Sequence, residues 1–344
     1  MKQVALIGGS FDPIHQGHVQ IATFARDHLG MDEVWLIPAY QAPLKDRVLT
    51  SDQDRLKMCQ LAIEGQDRLR IETIELEAQK KCYTVDTLKA LREKYPDVEF
   101  TWLIGNDQLD QFDKWKEPET LLTLAHFICV DRNGKMSPTT YDIQQVHMPM
   151  VPVSSSEIRK GNQLNYVDPK VLAYIYEHRL YIQNFLQDRL YEKRIQHSLS
   201  VAKLCEDIAI SHQLDGQKAY LIGLFHDIAK AMPKEELRKW MKAICPENLH
   251  WPTPVWHGFV GAAILHRIFQ IEDHIILEAV YHHVLGSSED PYAMIVFCAD
   301  KLDPLRDYDN QKEIDLCKRD LILGFQEVHR QQKAYLAKEG QKNG

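Results

Sequence analysis

The chain has 344 residues, which exceeds the ~100–200 residues of a usual domain and predicts two. Hydrophobic residues at 44% and charged residues at 26% exclude a disordered, collagen-like or disulfide-scaffold protein. A net charge of -8 argues against a surface that tracks long nucleic acids. Seven Cys with no Cys-x-x-Cys pair suggest reduced thiols in a cytoplasm. His is the unusual count, at 16, which fits metal ligation, proton transfer or chance.

The start, MKQVALIGGS, lacks the long apolar region of a signal peptide, and no apolar run approaches the ~20 residues that span a bilayer. The expectation is a soluble, cytoplasmic protein without a membrane partner.

Short apolar runs at Val4–Ile7, Val34–Ile37, Phe100–Ile104 and Phe127–Val130 end at Gly or Pro or at the pair Asp131-Arg132. Their separation by ~20–40 residues of helix and loop predicts βαβ units and a parallel sheet. Residues 72–76 and 146–153 are candidates for further strands. The first 182 residues therefore read as an α/β, Rossmann-like domain whose ligands lie beyond the carboxyl ends of the strands. From 188 to 330 the apolar residues keep helical spacing, as at Ile195, Leu199, Ala202, Cys205, Ile208 and Ala209. Helices are predicted at Ala219–Lys230, Val260–Phe269, Ile275–His283 and Ala293–Leu302, giving an all-α second domain. The end, 331–344, is polar and is expected to fray.

The string Gly8-Gly9-Ser10-Phe11-Asp12-Pro13-Ile14-His15-Gln16-Gly17-His18 follows the first strand and opens a helix. Glycines let backbone approach a polyphosphate, and a helix N-terminus favours anions. His15 and His18, three apart, share a helix face and can donate to oxygens around a phosphorus. Ser154 and Glu157 fit a Ser-x-x-Glu capping box, and Arg159 adds a forked donor for phosphate.

With YTVDTL at 83–88, IGNDQL at 104–109 followed by Trp115, and VSSSEIR at 153–159, residues 1–182 resemble the nicotinate-mononucleotide adenylyltransferases of the nucleotidyltransferase superfamily. YIYEHRLY at 174–181 completes the resemblance. It implies adenylyl transfer from ATP, carried with Mg²⁺, to nicotinate mononucleotide. His15 and His18 would act at the reacting phosphates. Gly8, Gly9, Ser10, Phe11, Gly105, Asp107, Ser155 and Arg159 would bind the nucleotide, with Lys45 helping from its loop. That loop reads Pro43-Leu44-Lys45-Asp46, without the His that usually precedes the Lys in the family. Tyr83, Thr84 and Trp115 would surround the pyridine nucleotide. Nicotinamide mononucleotide is the alternative acceptor.

The second half carries His197, His226-Asp227, His257, His282-His283 and Asp300 in that order. His226 and Asp227, on a predicted helix, lie ~100° apart and can reach one cavity. Imidazole and carboxylate donors without Cys suit iron, manganese or similar divalent ions. Lys230, three residues beyond Asp227, can reach a phosphate from the same side.

With GLFHDIAK at 223–230 and Ala299-Asp300, this half resembles the HD-domain phosphohydrolases, and within them the symmetrical diadenosine tetraphosphate hydrolases. The resemblance implies one metal held by His197, His226, Asp227 and Asp300. A second would be held by Asp227, His257 and His282, with His283 as the uncertain neighbour. Asp227 and Lys230 would serve catalysis and Arg306 would bind phosphate. A different nucleotide phosphohydrolase, or a regulatory nucleotide-binding module, is the alternative.

Overall fold

The computed structural model describes residues 1–41, 48–131, 136–149, 151–306 and 309–342. It separates into two compact units, one of Met1–Arg159 with Tyr166–Ile175, the other of Lys160–Asn165 with Tyr176–Gly344. This division departs from a simple boundary at 182. Residues 160–162 belong to the second unit because the Arg189 guanidinium donates to Lys160 O (3.1 Å), Gly161 O (3.3 Å) and Asn162 Oδ1 (3.1 Å).

The first unit is built on six strands: β1 (Lys2–Gly9), β2 (Glu33–Pro38), β3 (Leu69–Ile71), β4 (Val98–Gly105), β5 (His126–Asp131) and β6 (Gln144–His147). All pairings are parallel, in the order β3-β2-β1-β4-β5-β6. Val4, Ala5 and Leu6 are wholly buried, as a central strand covered on both faces requires. The order reverses between β1 and β4, the switch point beyond which an open α/β sheet binds ligands. β1 ends there in Gly8-Gly9 and β4 in Gly105. A Cβ on Gly8 would stand 2.6 Å from Trp102 Cζ2, so only glycine lets that indole lie across the strand end.

Eight helices or helical turns start in or between these segments: α1 (Gln16–His28), α2 (Asp52–Ala62), α3 (Ile74–Glu77), α4 (Thr84–Lys94), α5 (Asn106–Leu109), α6 (Pro118–Leu124), α7 (Ser155–Arg159) and α8 (Pro169–Glu177). One face of the sheet buries Trp35, Phe100, Trp102 and Phe127 against Val85, Leu88 and Leu91 of α4 and Leu121 of α6. Each such side chain contributes about 1.5–3 kcal/mol.

The predicted strand at 72–76 is not one. Pairing ends at Ile71, and the chain turns into α3 after Glu72 N reaches Leu36 O (2.9 Å). The predicted strand at 146–153 begins and ends earlier, as β6, which leaves the sheet after Met148 N bonds Asp131 O.

The second unit is helical: α9 (Asn184–Gln187), α10 (Glu192–Ser211), α11 (Gly216–Phe225), α12 (Lys234–Ile244), α13 (Trp256–Arg267), α14 (His274–His282), α15 (Pro291–Lys301), α16 (Gln311–Arg319) and α17 (Leu321–Lys342). The helix expected over 219–230 stops at Phe225. Ile228 N bonds Phe225 O, Lys230 N bonds Asp227 O and Met232 N bonds Ala229 O, so tight i→i−3 turns replace the helix. In the polar end, α17 continues to Lys342. Among the described residues, no helix is long and apolar enough to cross a membrane.

Candidate functional sites

The Gly-Gly loop after β1 runs directly into α1, with His15 as its N-cap. The His15 and His18 rings stack at 3.8 Å between centroids, and His18 Nδ1 accepts from His15 N at 3.3 Å. Phe11, left-handed at φ 47°, is buried and meets His18 edge-on at 5.0 Å. A Cβ on Gly9 would come within 3.1 Å of the Phe11 ring, so the second glycine makes room for it. From the far end of the domain, Ser155 Oγ donates to Pro13 O (2.9 Å) and Arg159 Nη1 to Asp12 O (2.6 Å). Ser154 Oγ accepts from Glu157 N at 3.2 Å, the cap expected at the start of α7. His15, His18, Ser155 and Arg159 thus line one cavity of about 430 Å³ together with Gly8, Gly9, Ser10, Gly105 and Asp107.

A second cavity of about 390 Å³ shares Gly8, Gly9, Ser10, Asp107 and Gln108 with the first. Tyr83, Thr84 and Trp115 line it. Tyr83 caps α4, whose first N–H groups open beside this wall. Lys45 lies outside the described residues.

Two residues that sequence reasoning passed over support this site. The buried Arg55 donates to Ser10 O (2.9 Å), Ala39 O (2.7 Å) and Thr50 O (2.9 Å), which fixes the loop after β1 to the end of β2. Glu75 of α3 lines the second cavity, and burial, partly offset by a hydrogen bond from Thr87, pushes its carboxyl up to about 7.

In the second unit five elements bring six side chains together. His197 comes from α10, His226 from the C-cap of α11, and Asp227 from the turn after it. His257 comes from α13, His283 from the C-cap of α14, and Asp300 from α15. Asp227 Oδ2 faces His226 Nε2 (3.5 Å) and His197 Nε2 (3.8 Å). Asp300 Oδ1 lies 3.3 Å and 3.7 Å from His197 and His226 Nε2. The other oxygen, Asp227 Oδ1, faces His257 Nε2 (3.0 Å) and His283 Nε2 (3.8 Å).

Every Nδ1 points away from the cluster. His226 donates to Gly223 O (2.7 Å), His257 to Pro254 O (2.8 Å) and His283 to Val280 O (2.6 Å). His197 Nδ1 donates to Asp303 Oδ2 at 2.6 Å. A carbonyl can only accept, so the Nδ1 proton is fixed and the Nε2 lone pair turns inward. His197 Nε2 and His226 Nε2 are buried without a hydrogen-bond partner, and His257 Nε2 sits 3.2 Å from His283 Nε2. Converging imidazole lone pairs beside two carboxylates fit divalent cations. Burial drives the His283 imidazole down to about 4, so it is a neutral donor. Burial alone would raise the two carboxyl groups, yet the imidazoles and Lys301 hold Asp227 and Asp300 well below the ordinary range.

The structure corrects one expectation here. His282 is turned away: its Nδ1 meets Ser287 Oγ (2.7 Å) and its Nε2 lies 3.2 Å from Glu278 Oε2. His282 is the last residue of α14 and His283 its C-cap, and it is His283 whose Nε2 faces Asp227 Oδ1 at 3.8 Å. A second correction concerns His226 and Asp227, which sit at and beyond a helix end rather than within a helix. That placement aims both at one point.

Cationic side chains surround the cluster. Lys230 Nζ approaches His257 Nε2 (3.4 Å) and Asp227 Oδ1 (4.0 Å), and Arg306 Nη2 donates to Asp300 O (2.8 Å). Arg194 Nη1 donates to Asp227 Oδ2 (2.8 Å) and Lys301 Nζ to Asp300 Oδ2 (2.7 Å); neither was singled out in the sequence. Arg194 lies three residues before His197 on α10, a helix-spacing signal that could have found it.

The fold and the two sites define a nucleotidyltransferase-type α/β unit and an HD-type metal centre on one chain. The cytidylyltransferase-like family matches residues 6–161 and the HD domain family residues 194–305. A probable nicotinate-nucleotide adenylyltransferase/Ap4A hydrolase of Mycoplasma pneumoniae is 30% identical over 333 residues, covering 93% of this chain and 96% of its own. The protein of that name from Mycoplasma genitalium is 30% identical over 312 residues, 89% of each chain. A probable nicotinate-nucleotide adenylyltransferase of Streptococcus pyogenes is 42% identical over 186 residues, 52% of this chain and 89% of its own. The chain belongs to the family of fused nicotinate-nucleotide adenylyltransferase/Ap4A hydrolases.

Proposed function

We propose that the first unit transfers AMP from Mg²⁺-bound ATP to nicotinate mononucleotide, and that the second cleaves diadenosine tetraphosphate symmetrically into two ADP. The adjoining cavities carry the first half of this reading. They share the Gly8-Gly9-Ser10 wall, so one compartment takes phosphates and the other a pyridine nucleotide. A phosphate oxygen of the mononucleotide forms a bond to the α-phosphorus of ATP, the bond to the β-phosphate bridge breaks, and pyrophosphate leaves. His15, His18, Ser155 and Arg159 hold the phosphates in line and offset the charge that develops, while Trp115 and the Tyr83–Thr84 wall fix the acceptor. Lys45 belongs to the same proposal.

The divided carboxylate of Asp227 carries the second half. One oxygen faces His197 and His226, which Asp300 also faces, and the other faces His257 and His283, so these residues would hold two divalent ions, iron or manganese. Such ions, when bound, lower the pKa of a water and draw charge from phosphate oxygens. The chain itself orients the donors through their Nδ1 bonds and neutralises the polyphosphate through Arg194, Lys230 and Arg306. Water adds to a β-type phosphorus and the central P–O–P bond breaks, giving two ADP.

The test supplies the full chain with ATP and an equal mixture of nicotinate and nicotinamide mononucleotides, and separately with diadenosine tetraphosphate and Mn²⁺ or Fe²⁺. Nicotinate adenine dinucleotide with pyrophosphate is expected from the first mixture, and ADP as the sole product from the second. Preference for the amide refutes the first assignment. AMP plus ATP, or no hydrolysis with either metal, refutes the second.

A further inference from the structure

We propose that the Glu75 carboxylate, steadied by the Thr87 hydroxyl, is the counter-charge for the cationic ring of the acceptor, and makes the first unit select a pyridinium nucleotide over one with an uncharged ring. This inference rests on the adenylyltransferase reading of that unit and adds a specificity residue to it. The helical turn α3 lays Glu75 against α4, where the residue is 8% exposed. It lines the 390 Å³ cavity together with Tyr83, Thr84 and Trp115. It does not line the neighbouring cavity of His15, His18 and Arg159, so it faces the acceptor compartment rather than the phosphates.

The hydrogen bonds around Glu75 favour the ionised form. Thr87 Oγ1 lies 2.6 Å from Glu75 Oε1. The other acceptor near that hydroxyl, Tyr83 O at 3.3 Å, already takes Asp86 N (2.8 Å) and Thr87 N (3.1 Å). The hydroxyl hydrogen therefore goes to Glu75, a bond that stabilises the carboxylate. Among the described residues, no Lys, Arg or His pairs with it. Burial, opposed by that single bond, raises the carboxyl to about 7, the cost of a desolvated anion without a cation beside it. The ring nitrogen of a pyridine mononucleotide is bonded to ribose and is positive at every pH. Docked against this wall, it offsets that cost.

The other charges of the wall do not fill the role. Lys114 and Lys116 have the wrong sign for the ring nitrogen. Lys116 is engaged by Asp86 (2.9 Å and 3.0 Å) and faces the Tyr83 ring at 5.2 Å, while Lys81 faces the same ring at 5.7 Å. Burial pushes the Cys82 thiol up, which keeps it neutral. Asp107 is the other carboxylate, and it lines both cavities, at the wall shared with the phosphates. Glu75 is the anion that belongs to the pyridine compartment alone.

The experiment compares nicotinate mononucleotide with the C-ribonucleotide of benzoic acid, which keeps the phosphate, the carboxylate and the flat six-membered ring but has no ring charge. KM for the first, and Ki of the second against it, are measured on the full chain at saturating ATP and pH 7.5. In the wild type KM should lie about tenfold below Ki, between the limits of exposed and buried charge pairs. E75Q keeps an acceptor for Thr87 and loses the charge, so KM should rise to meet Ki, with Ki and KM for ATP unchanged. T87V keeps the charge and loses its donor; it should narrow the gap by less, and it decides the matter if E75Q does not fold. A wild type without the gap, an E75Q gap as wide as the wild type's, or equal weakening of both ligands in E75Q overturns the role of Glu75. A T87V gap that is unchanged where E75Q does not fold also overturns it. A gap closed by D107N and not by E75Q assigns the counter-charge to Asp107 instead. A wild type that adenylylates neither nicotinate nor nicotinamide mononucleotide refutes the adenylyltransferase reading itself, a different result from the others.

Discussion

Asp303 offers the most direct test of how the helical unit builds its metal centre. It is 2% exposed and holds His197 Nδ1 and Ser200 Oγ at 2.6 Å each, with Leu305 N at 3.1 Å. It touches no other member of the cluster, so it acts through the orientation of His197. D303A leaves two half-buried donors without this acceptor, at ~1–3 kcal/mol each as an upper range. It also frees the His197 ring to turn its Nε2 away from Asp300 and Asp227. Loss of such an outer partner typically costs 10–100-fold in metal affinity, or about 1.4–2.7 kcal/mol. D303N keeps the shape but not the charge, and should fall nearer the tenfold end. Competition with a chromophoric chelator, run with Mn²⁺ and Fe²⁺, gives the affinity. Denaturation in excess chelator gives the stability change separately. If D303A binds metal within about threefold of the wild type, the idea that Asp303 orients a ligand is wrong, even if the protein is destabilised.

The other predictions address single contacts. H283A should lower metal binding by ~100-fold or more at one of two sites, whereas H282A should stay within about threefold; equal losses would show that the two are interchangeable. G223A places a Cβ 2.7 Å from Ala202 Cα where α10 and α11 touch. Overpacking of that kind costs ~1–3 kcal/mol and should strain His226, whose Nδ1 bonds the Gly223 carbonyl; an unchanged melting temperature counts against the close approach. Glu75 is raised from 4.5 to about 7, so the folded state holds its proton longer than the unfolded state. Stability from this group is therefore fully present below pH ~4.5 and lost as pH rises to ~7, by up to ~3 kcal/mol. E75Q removes that slope, and its stability relative to wild type should improve between pH 5 and pH 8 in urea titrations. Parallel wild-type and E75Q profiles would contradict the shift.

What could be read from the sequence was what lies close together in it. The strand ends and the stretch from Gly8 to His18 were legible because one turn carries the glycines, the N-cap and both imidazoles. The His226-Asp227 pair stood out for the same reason. In the segment 72–76, Ile74 and Leu76 alternate with Glu75, a period of two that the four helical residues of α3 can imitate. That misreading hid Glu75, whose partner Thr87 is on the next helix. The choice between His282 and His283 turns on helix phase at a C-cap, which composition does not encode. Arg55 was invisible because its partners Ser10 and Ala39 are far along the chain, and distance likewise hid the bond between Asp303 and His197, though Asp303 itself lies in the segment with Asp300 and Arg306 that resembles the HD family.

The net charge of -8 takes on a different meaning beside these sites. An acidic surface disfavours polyanions in general, and a phosphate site in such a chain must reverse the sign locally. Under the proposed reading the first unit would do so with few formal charges, through Arg159, the paired imidazoles and the N–H groups at the start of α1. The second surrounds the carboxylates of Asp227, Asp300 and Asp303 with Arg194, Lys230, Lys301 and Arg306, and bound divalent ions would add to that balance. Arg194 and Lys301 engage the carboxylate oxygens nearest the imidazoles, so a polyphosphate arriving there meets cations already held in place. On the proposed reading, selectivity for short, highly charged phosphate chains would follow from this local geometry within a chain whose net charge is -8.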